Sequence, residues 1–541
     1  MNPTISTRHR SGLLAGYAVV TFFSFPHPLG DRVVDFGSVL AWFGPALLLL
    51  GLTGLSPRRA AMFAFVASLF AHAAVLHWFY VVTVTYGHAP ALVGLLAPFG
   101  PAAYIAASTA IFAASMAGFA KVGFDSAWTA ALVWAALDHL RSFALSGFPW
   151  ATLGYAQHEN VALLSLAPFT GVYGLSFVSV LGAAALAEFV RAWPRRRPSW
   201  GAGLAVAAVA VALVAGALSA GSDDEVDLAR LRVAVLQGNV DQGVKWSEAW
   251  TDRILAIYED LARDAAEQGA EWIVWPESSV PGLIDIDPEL RLRLKDLARE
   301  TGAIHVLGAV GWRQAAGAQR PNFYDSAVIL DPHGGFGERY DKAHLVPFGE
   351  YIPLRPLLGF VLQAIARGVA PDNVTAGPGP RALEFPARSG PEATLTAGVP
   401  ICYELVFPDL VRRMVGDGAE VLLALTNDAW YGRTGAPYQF LAMTALRSAE
   451  TRVWTARAAN TGVSAIIDSR GRVRERTRIF ERGLLLADVP LRPAPHGGSF
   501  YTSHGDVFAA ACWAGFGGLA LLGLVRSRRG PAEKVRGIGS D

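Results

Sequence analysis

The chain has 541 residues, of which 52% are hydrophobic and only 17% charged, with a formal net charge of +1 at pH 7 and a mean hydropathy of +0.33. Soluble domains carry roughly 25% charged residues, so this composition places part of the chain in lipid. The near-zero net charge gives no support for nucleic-acid binding.

Apolar windows of about 20 residues, the length a bilayer requires, fall at 11–29, 36–54, 60–82, 90–118, 125–143, 162–190, 202–220 and 506–525. They predict about eight spans, the fifth being the least regular because Asp138, His139 and Arg141 sit at its end. No small-residue cleavage site follows the first window, which reads as an uncleaved anchor. Basic residues set the expected orientation. Arg8 and Arg10 precede span one, Arg58 and Arg59 follow span two, a cluster at 191–198 follows span six, and RSRR at 526–529 follows span eight. Placing every cluster in the cytoplasm gives an even number of spans, both termini inside and the segment 221–500 outside. In a bacterium that is the periplasmic face of the inner membrane.

The expected division is a bundle over 1–227, an extramembrane domain over 228–492, and a last helix with a cytoplasmic tail over 493–541. In the middle segment the runs LRVAVLQGNV, EWIVWPES, AIHVLGAVGW, YDSAVILD, ATLTAGVPICYE, EVLLALTNDAW and VSAIIDSRG each read as a short strand closed by polar or turn residues. Between the first two, Trp250, Ile254, Ile257, Leu261 and Ala265 recur at helical spacing. PELRLRLKDLARETG predicts a second helix stopped by Gly302. This alternation argues for sheets covered by helices. The tail GPAEKVRGIGSD carries no pattern.

Three motifs place charged or nucleophilic groups where strands give way to loops, the usual position for chemistry on a rigid scaffold. WPES at 275–278 supplies Glu277, YDKAHLVPFGEYIP at 340–353 supplies Lys342 and Glu350, and VPICYELVFP at 399–408 supplies Cys402 and Glu404. Each has a plain structural reading: Glu277 as a helix N-terminal charge, Lys342 as a solvated lysine, Glu404 as a capping carboxylate, and Cys402 as a buried core thiol. A Cys–His dyad with His344 is the disfavoured alternative. Cys402 is one of two cysteines; the other, Cys512, lies inside the last apolar window, so a disulfide between them is not expected. Neither CxxC nor Cys/His metal spacing is present.

Taken together, WPES, YDKxHLVPFGE and ICYE resemble the nitrilase superfamily, whose catalytic set is glutamate, lysine and cysteine in that chain order. The form HLVPFGEYIP with apolar spans on both sides is similar to the apolipoprotein N-acyltransferase family. GFPWATLGYAQ at 147–157 and TNDAWYG at 426–432 resemble further signatures of it. The resemblance implies an α-helical membrane bundle carrying an αββα nitrilase-like sandwich. It implies transfer of an acyl chain from a phospholipid, phosphatidylethanolamine being the suggested donor, to the N-terminal amine of a diacylglyceryl-cysteine lipoprotein. Carried over by motif, Glu277 is the base, Lys342 the electrostatic stabiliser and Cys402 the nucleophile, with no metal or diffusible cofactor required.

The chemistry is coherent on its own terms. Acyl transfer from ester to amine divides into two steps through a thioester. Glu277 would take the thiol proton, nearby Lys342 would favour the thiolate, and Lys342 with a backbone N–H near Tyr403 would stabilise the oxyanion. Glu350 and Glu404 match family positions beside the triad, where an orienting role and a structural ion pair compete. Trp246 matches a position near the acyl pocket, and Trp430 and Tyr431 line the same pocket or pack in the core. The greasy segment 353–366 is expected to be a membrane-dipping lid. A monomer is the default. A membrane-anchored amidase would use the same three residues but has no need of so many spans. A transporter with a dead outer domain would place ionisable groups mid-span, where they are nearly absent here.

Overall fold

The computed structural model describes residues 6–30, 32–193, 199–219, 228–245, 248–314, 321–351, 374–386, 394–492 and 498–528. Trp246, the expected lid at 353–366, most of the basic cluster at 191–198 and the terminal tail lie outside the described residues.

Each of the eight apolar windows carries helix. Five helices are long and apolar enough to cross a membrane: Pro57–Val75, Ala91–Val122, Val172–Ala192, Trp200–Ser219 and Val507–Arg528. The first, second and fifth windows hold shorter pieces for local reasons. Thr7–Phe23 has 17 residues and Ala127–Leu140 has 14. The second window contains Gly37–Leu40 and Gly44–Leu52, the latter restarting with a proline in its first turn. The sixth window breaks at Gly171, whose φ of +62° ends Ala167–Thr170 before Val172–Ala192 begins. A short hairpin, β1 (His27–Leu29) with β2 (Arg32–Val34), follows the first helix.

The middle segment folds into two six-stranded mixed sheets. The first has the order β14-β3-β4-β5-β6-β7, with β3 (Arg230–Gln237), β4 (Trp272–Val274), β5 (Ile304–Arg313), β6 (Asn322–Leu330), β7 (Phe336–Asp341) and β14 (Gly483–Pro490). The second has the order β13-β12-β11-β10-β9-β8, with β8 (Ala382–Pro386), β9 (Thr394–Gly398), β10 (Val421–Thr426), β11 (Thr455–Ala459), β12 (Ala465–Ile467) and β13 (Val473–Arg476). Strands β3, β4 and β5 run parallel at the centre of one sheet, and β9, β10 and β11 at the centre of the other.

Period-two alternation builds the layers. In β3, Val233 and Val235 point into the core between the sheets, while Ala234 and Leu236 point at the helices Thr251–Glu267 and Pro288–Thr301. Trp272 of β4 stacks on Phe385 of β8 with ring centroids 4.1 Å apart, joining sheet to sheet. Pro408–Gly416 and Ala436–Thr451 cover the second sheet through Met414, Phe440 and Met443. The result is the expected αββα sandwich. Ile254, Leu261 and Ala265 face the core as their spacing requires, and Gly302 closes its helix in the left-handed conformation at φ +62°.

The bundle and the sandwich share buried hydrogen bonds. Trp150 Nε1 donates to Gln439 Oε1 at 2.8 Å, and Arg447 donates to the Tyr155 hydroxyl at 3.2 Å. Glu450 accepts the backbone N–H of Val172 at 2.8 Å. Tyr431 packs edge-on against Trp78, 5.0 Å between centroids, and Trp78 lies 4.9 Å from Trp150. Both GFPWATLGYAQ and TNDAWYG therefore sit at this junction.

Candidate active site

Glu277, Lys342 and Cys402 converge at one end of the sandwich. Glu277 follows β4, where Trp275 continues the pairing through its N–H to Val306 O at 2.9 Å and stacks on Tyr258 with centroids 5.2 Å apart. Lys342 follows β7, its backbone N–H donating 2.8 Å to Asp325 O of β6. Cys402 comes from the other sheet. It follows β9 with φ of +47°, a left-handed conformation that non-glycine residues adopt only when the surroundings impose it.

Lys342 has no solvent exposure and donates to Glu277 Oε1 at 3.2 Å, Asp325 Oδ2 at 3.3 Å and Glu350 Oε1 at 2.6 Å. The Cys402 thiol is among the groups that hold the Glu277 carboxyl down. Carboxylate oxygens of Glu277, Asp325 and Glu350 lie within 4.8 Å of one another, a grouping able to hold a metal ion, but the Lys342 ammonium is the cation they surround. Glu350 also accepts the Val346 N–H at 2.8 Å, fixing the loop behind the lysine.

Electrostatics divide the roles. Burial would raise the Glu277 carboxyl, but Lys342, a hydrogen bond with Asp325 and the charge of Lys245 hold it below the usual carboxylate range. Burial would strip Lys342 of its proton, and Glu277, Glu350 and Asp325 reverse this and hold it well above an ordinary lysine. Burial and the Glu277 charge raise the Cys402 thiol well above its ordinary value, and Lys342 opposes without winning. The thiolate expected from Lys342 alone is therefore not the resting form: a neutral thiol faces an ionised carboxylate, the pairing general-base activation requires.

The supporting residues fall into two groups. Among the described residues Glu404 makes no ion pair. Its Oε1 accepts from Tyr340 Oη and Ala343 N, both at 2.7 Å, and from His344 N at 3.2 Å, while Oε2 accepts from Ile401 N at 2.8 Å. It caps the turn Cys402–Val406 and ties it to the lysine loop. Burial pushes its carboxyl up to about 7 against the hydrogen bonds from Ile401, Tyr340 and Ala343. Tyr403 is buried, with its hydroxyl 3.4 Å from Gly147 O in the bundle. Tyr431 is half-buried in the junction aromatics, and Trp430 is more exposed, edge-on to Tyr86 at 5.5 Å. His344 lies with its ring 4.0 Å from Phe407 and 5.8 Å from Tyr403.

Two site residues were missed in the sequence. Asp325 sits within the strand run YDSAVILD, and Lys245 immediately precedes Trp246. Lys245 is buried and donates to Glu277 O at 3.2 Å, and burial pulls its ammonium down to about 8 against Glu277, Asp325 and Cys402. Its loop is held by an amide ladder: Asn427 donates to Gln242 at 2.8 Å, Asn460 to Asn427 at 3.1 Å and to Val240 O at 2.8 Å. The signal was the short polar DQGVK stretch directly after an apolar strand.

The chain matches two family models, the carbon-nitrogen hydrolase model over residues 232–494 and the apolipoprotein N-acyltransferase N-terminal domain over residues 17–185. It is 37% identical over 492 residues to the apolipoprotein N-acyltransferase of Geobacter metallireducens, covering 90% of this chain and 92% of the relative. It is 32% identical over 477 residues to that of Vibrio vulnificus, covering 83% and 86%. Among solved structures, an amidase from Nesterenkonia sp. is similar at 20% identity over 50% of this chain and 94% of its own, with a TM-score of 0.35. The length of these matches, which run through bundle and sandwich alike, shows that the chain belongs to the apolipoprotein N-acyltransferase family.

Proposed function

We propose that this membrane acyltransferase moves an acyl chain from a phospholipid, with phosphatidylethanolamine as the donor, through a thioester on Cys402 to the N-terminal amine of a diacylglyceryl-cysteine lipoprotein. The observation that carries the mechanism is that Glu277 accepts from the buried Lys342 ammonium at 3.2 Å while it and the neutral Cys402 thiol act on each other electrostatically.

Glu277 takes the thiol proton as sulfur attacks the ester carbonyl. The C–S bond forms, and the developing oxyanion is met by Lys342 and the peptide N–H at Tyr403. Collapse breaks the ester C–O bond, and Glu277 returns its proton to the departing lysophospholipid oxygen. In the second half the lipoprotein amine attacks the thioester. Its proton passes to Glu277 and then to sulfur as the C–S bond breaks, restoring the thiol. Tyr431 and Trp430 line the acyl path, and Glu350 and Glu404 orient Lys342 and the cysteine turn.

The reading places the bundle at 1–227, the catalytic domain at 228–492 and the last helix and tail at 493–541. The enzyme is a monomer in the inner membrane with its catalytic domain periplasmic. Several contacts support that orientation. The Arg10 guanidinium donates to the carbonyls of Gly51 and Thr53, Trp128 Nε1 donates to Gly201 O at 3.3 Å, and Arg526 lies over the Phe124 ring at 5.4 Å. The loops assigned to the cytoplasm thus meet one another, while Gly147, Trp150 and Tyr155 meet the catalytic domain.

Intact-protein mass spectrometry after incubation with phosphatidylethanolamine tests the reading. A hydroxylamine-sensitive gain of one acyl mass is expected in the wild type and not in Cys402→Ala, with Cys402→Ser holding a more stable ester. A wild type that stays unmodified in lipid would refute the thioester route.

A further inference from the structure

Three carboxyl groups crowd one lysine, and the arrangement cannot hold them all as anions. Lys342 spends its three N–H donors on Glu277, Asp325 and Glu350. The carboxylate oxygens of Glu277 and Asp325 lie within 4.8 Å of each other around that ammonium. Two ionised carboxylates at that range only accept and repel each other, and a proton held on one turns the pair into donor and acceptor. The surroundings say which group holds it. Glu277 has Lys342 on its carboxylate and Lys245 on its backbone carbonyl, and both lysines with the Cys402 thiol hold it ionised. Asp325, buried at 7% exposure, has as donors among the described residues the Lys342 ammonium at 3.3 Å and the Ser278 hydroxyl at 3.3 Å, and faces the negative charges of Glu277 and Glu350.

Charge balance points the same way. With Asp325 neutral, Lys342 and Lys245 stand against Glu277 and Glu350, and a buried cluster closes without net charge. With Asp325 ionised, an unbalanced negative charge would lie beside the thiol that must lose its proton.

We infer that Asp325 is a positioning residue that carries the shared proton and donates it in a hydrogen bond to Glu277, holding the base as an oriented carboxylate towards Cys402. This rests on the reading of Glu277 as the base. Burial and the Glu277 charge favour the proton on Asp325, against Lys342. Raising the pH removes that proton, adds negative charge beside the thiol and turns the donor into a repelling neighbour, so acylation slows on the alkaline side.

The test compares the rate of Cys402 acylation by phosphatidylethanolamine across a pH series in wild type, Asp325→Asn and Asp325→Ala. Asparagine keeps a neutral donor of the same shape. The expectation is that D325N stays within about threefold of wild type and loses the alkaline decline, while D325A falls by about 10- to 100-fold, the worth of one hydrogen bond to a charged group. If the aspartate is needed as an anion pairing Lys342, D325N falls as far as D325A or fails to fold, and the inference is overturned. A measurement on the wild type stands apart from any variant. With 13C-labelled aspartate, the infrared carbonyl band of a protonated carboxyl should shift with the label at neutral pH. No shifted band would equally overturn the inference. A wild type that is never acylated refutes the reading of the site itself, and the infrared result still decides the protonation of Asp325.

Discussion

Glu404 accepts a 2.7 Å hydrogen bond from Tyr340, and through this contact the Cys402 turn is fastened to the strand that leads into Lys342. Among the described residues its hydrogen-bond partners are all donors: Tyr340, Ala343, His344 and Ile401. Glu404→Gln must turn an amide N–H against one of them. The expected cost is about 1–3 kcal/mol, read as a lower Tm, with slower acylation. Glu404→Ala should lose more, and an unchanged Tm for both variants would show the clamp to be idle.

Glu277→Gln separates base from charge. The Glu277 charge helps hold the thiol above its ordinary value, and Lys342 opposes it. Removing that charge lowers the thiol, so alkylation by iodoacetamide at fixed pH should quicken by roughly tenfold for each pKa unit recovered. Acylation by phospholipid should fall by about 10²- to 10⁴-fold because the base is gone. Rates moving together would contradict the assignment.

Lys245→Met should stabilise the protein at neutral pH. The folded ammonium titrates near 8 against an ordinary 10.5, chiefly because it is buried. Below about 8 the native state therefore holds a charge that the unfolded chain holds more easily, a penalty of about 3 kcal/mol that methionine removes. Between 8 and 10.5 the native lysine is neutral while the unfolded one still binds its proton, so wild-type stability rises with pH and the advantage of the variant shrinks. Melting temperatures of the pair at neutral and alkaline pH check the sign. Acylation should slow at the same time, since the loop loses its tie to Glu277.

Gly308→Ala tests how closely β5 supports the base. A Cβ there would lie 2.0 Å from Pro276 O and 2.9 Å from Glu277 Cα, backbone that has nowhere to go. Displacing Glu277 by about 1 Å should cost on the order of 100-fold in acylation. Circular dichroism should report a folded sandwich.

The strands that carry Glu277 and Cys402 were legible because each is an apolar run ending in a motif. Several others were not. β7 is FGERYD and β11 is TARAA, and neither looks buried, yet Arg457 of β11 is fully buried because Asp428 takes its guanidinium at 2.6 Å. A charge that is neutralised from a distant loop leaves no local trace. Asp325 was hidden for the same reason, its meaning lying in Lys342 and Glu277 rather than in its neighbours along β6. Helix lengths in the bundle were misjudged where hydrophobicity runs on through a turn, as at Gly171. Glu404 was readable as a cap, and its clamp on the lysine loop became visible only once both strands were placed.

The sharing of buried hydrogen bonds between bundle and sandwich has a practical consequence for anyone wishing to excise the catalytic half. A water-soluble fragment beginning near the first strand would uncover Gln439 without Trp150, Arg447 without Tyr155, and Glu450 without the Val172 amide. It would open the aromatic wall where Tyr431 meets Trp78. Such a fragment should express as an aggregation-prone remnant rather than a trimmed enzyme, because the membrane helices complete the packing of the sandwich and are not merely its tether.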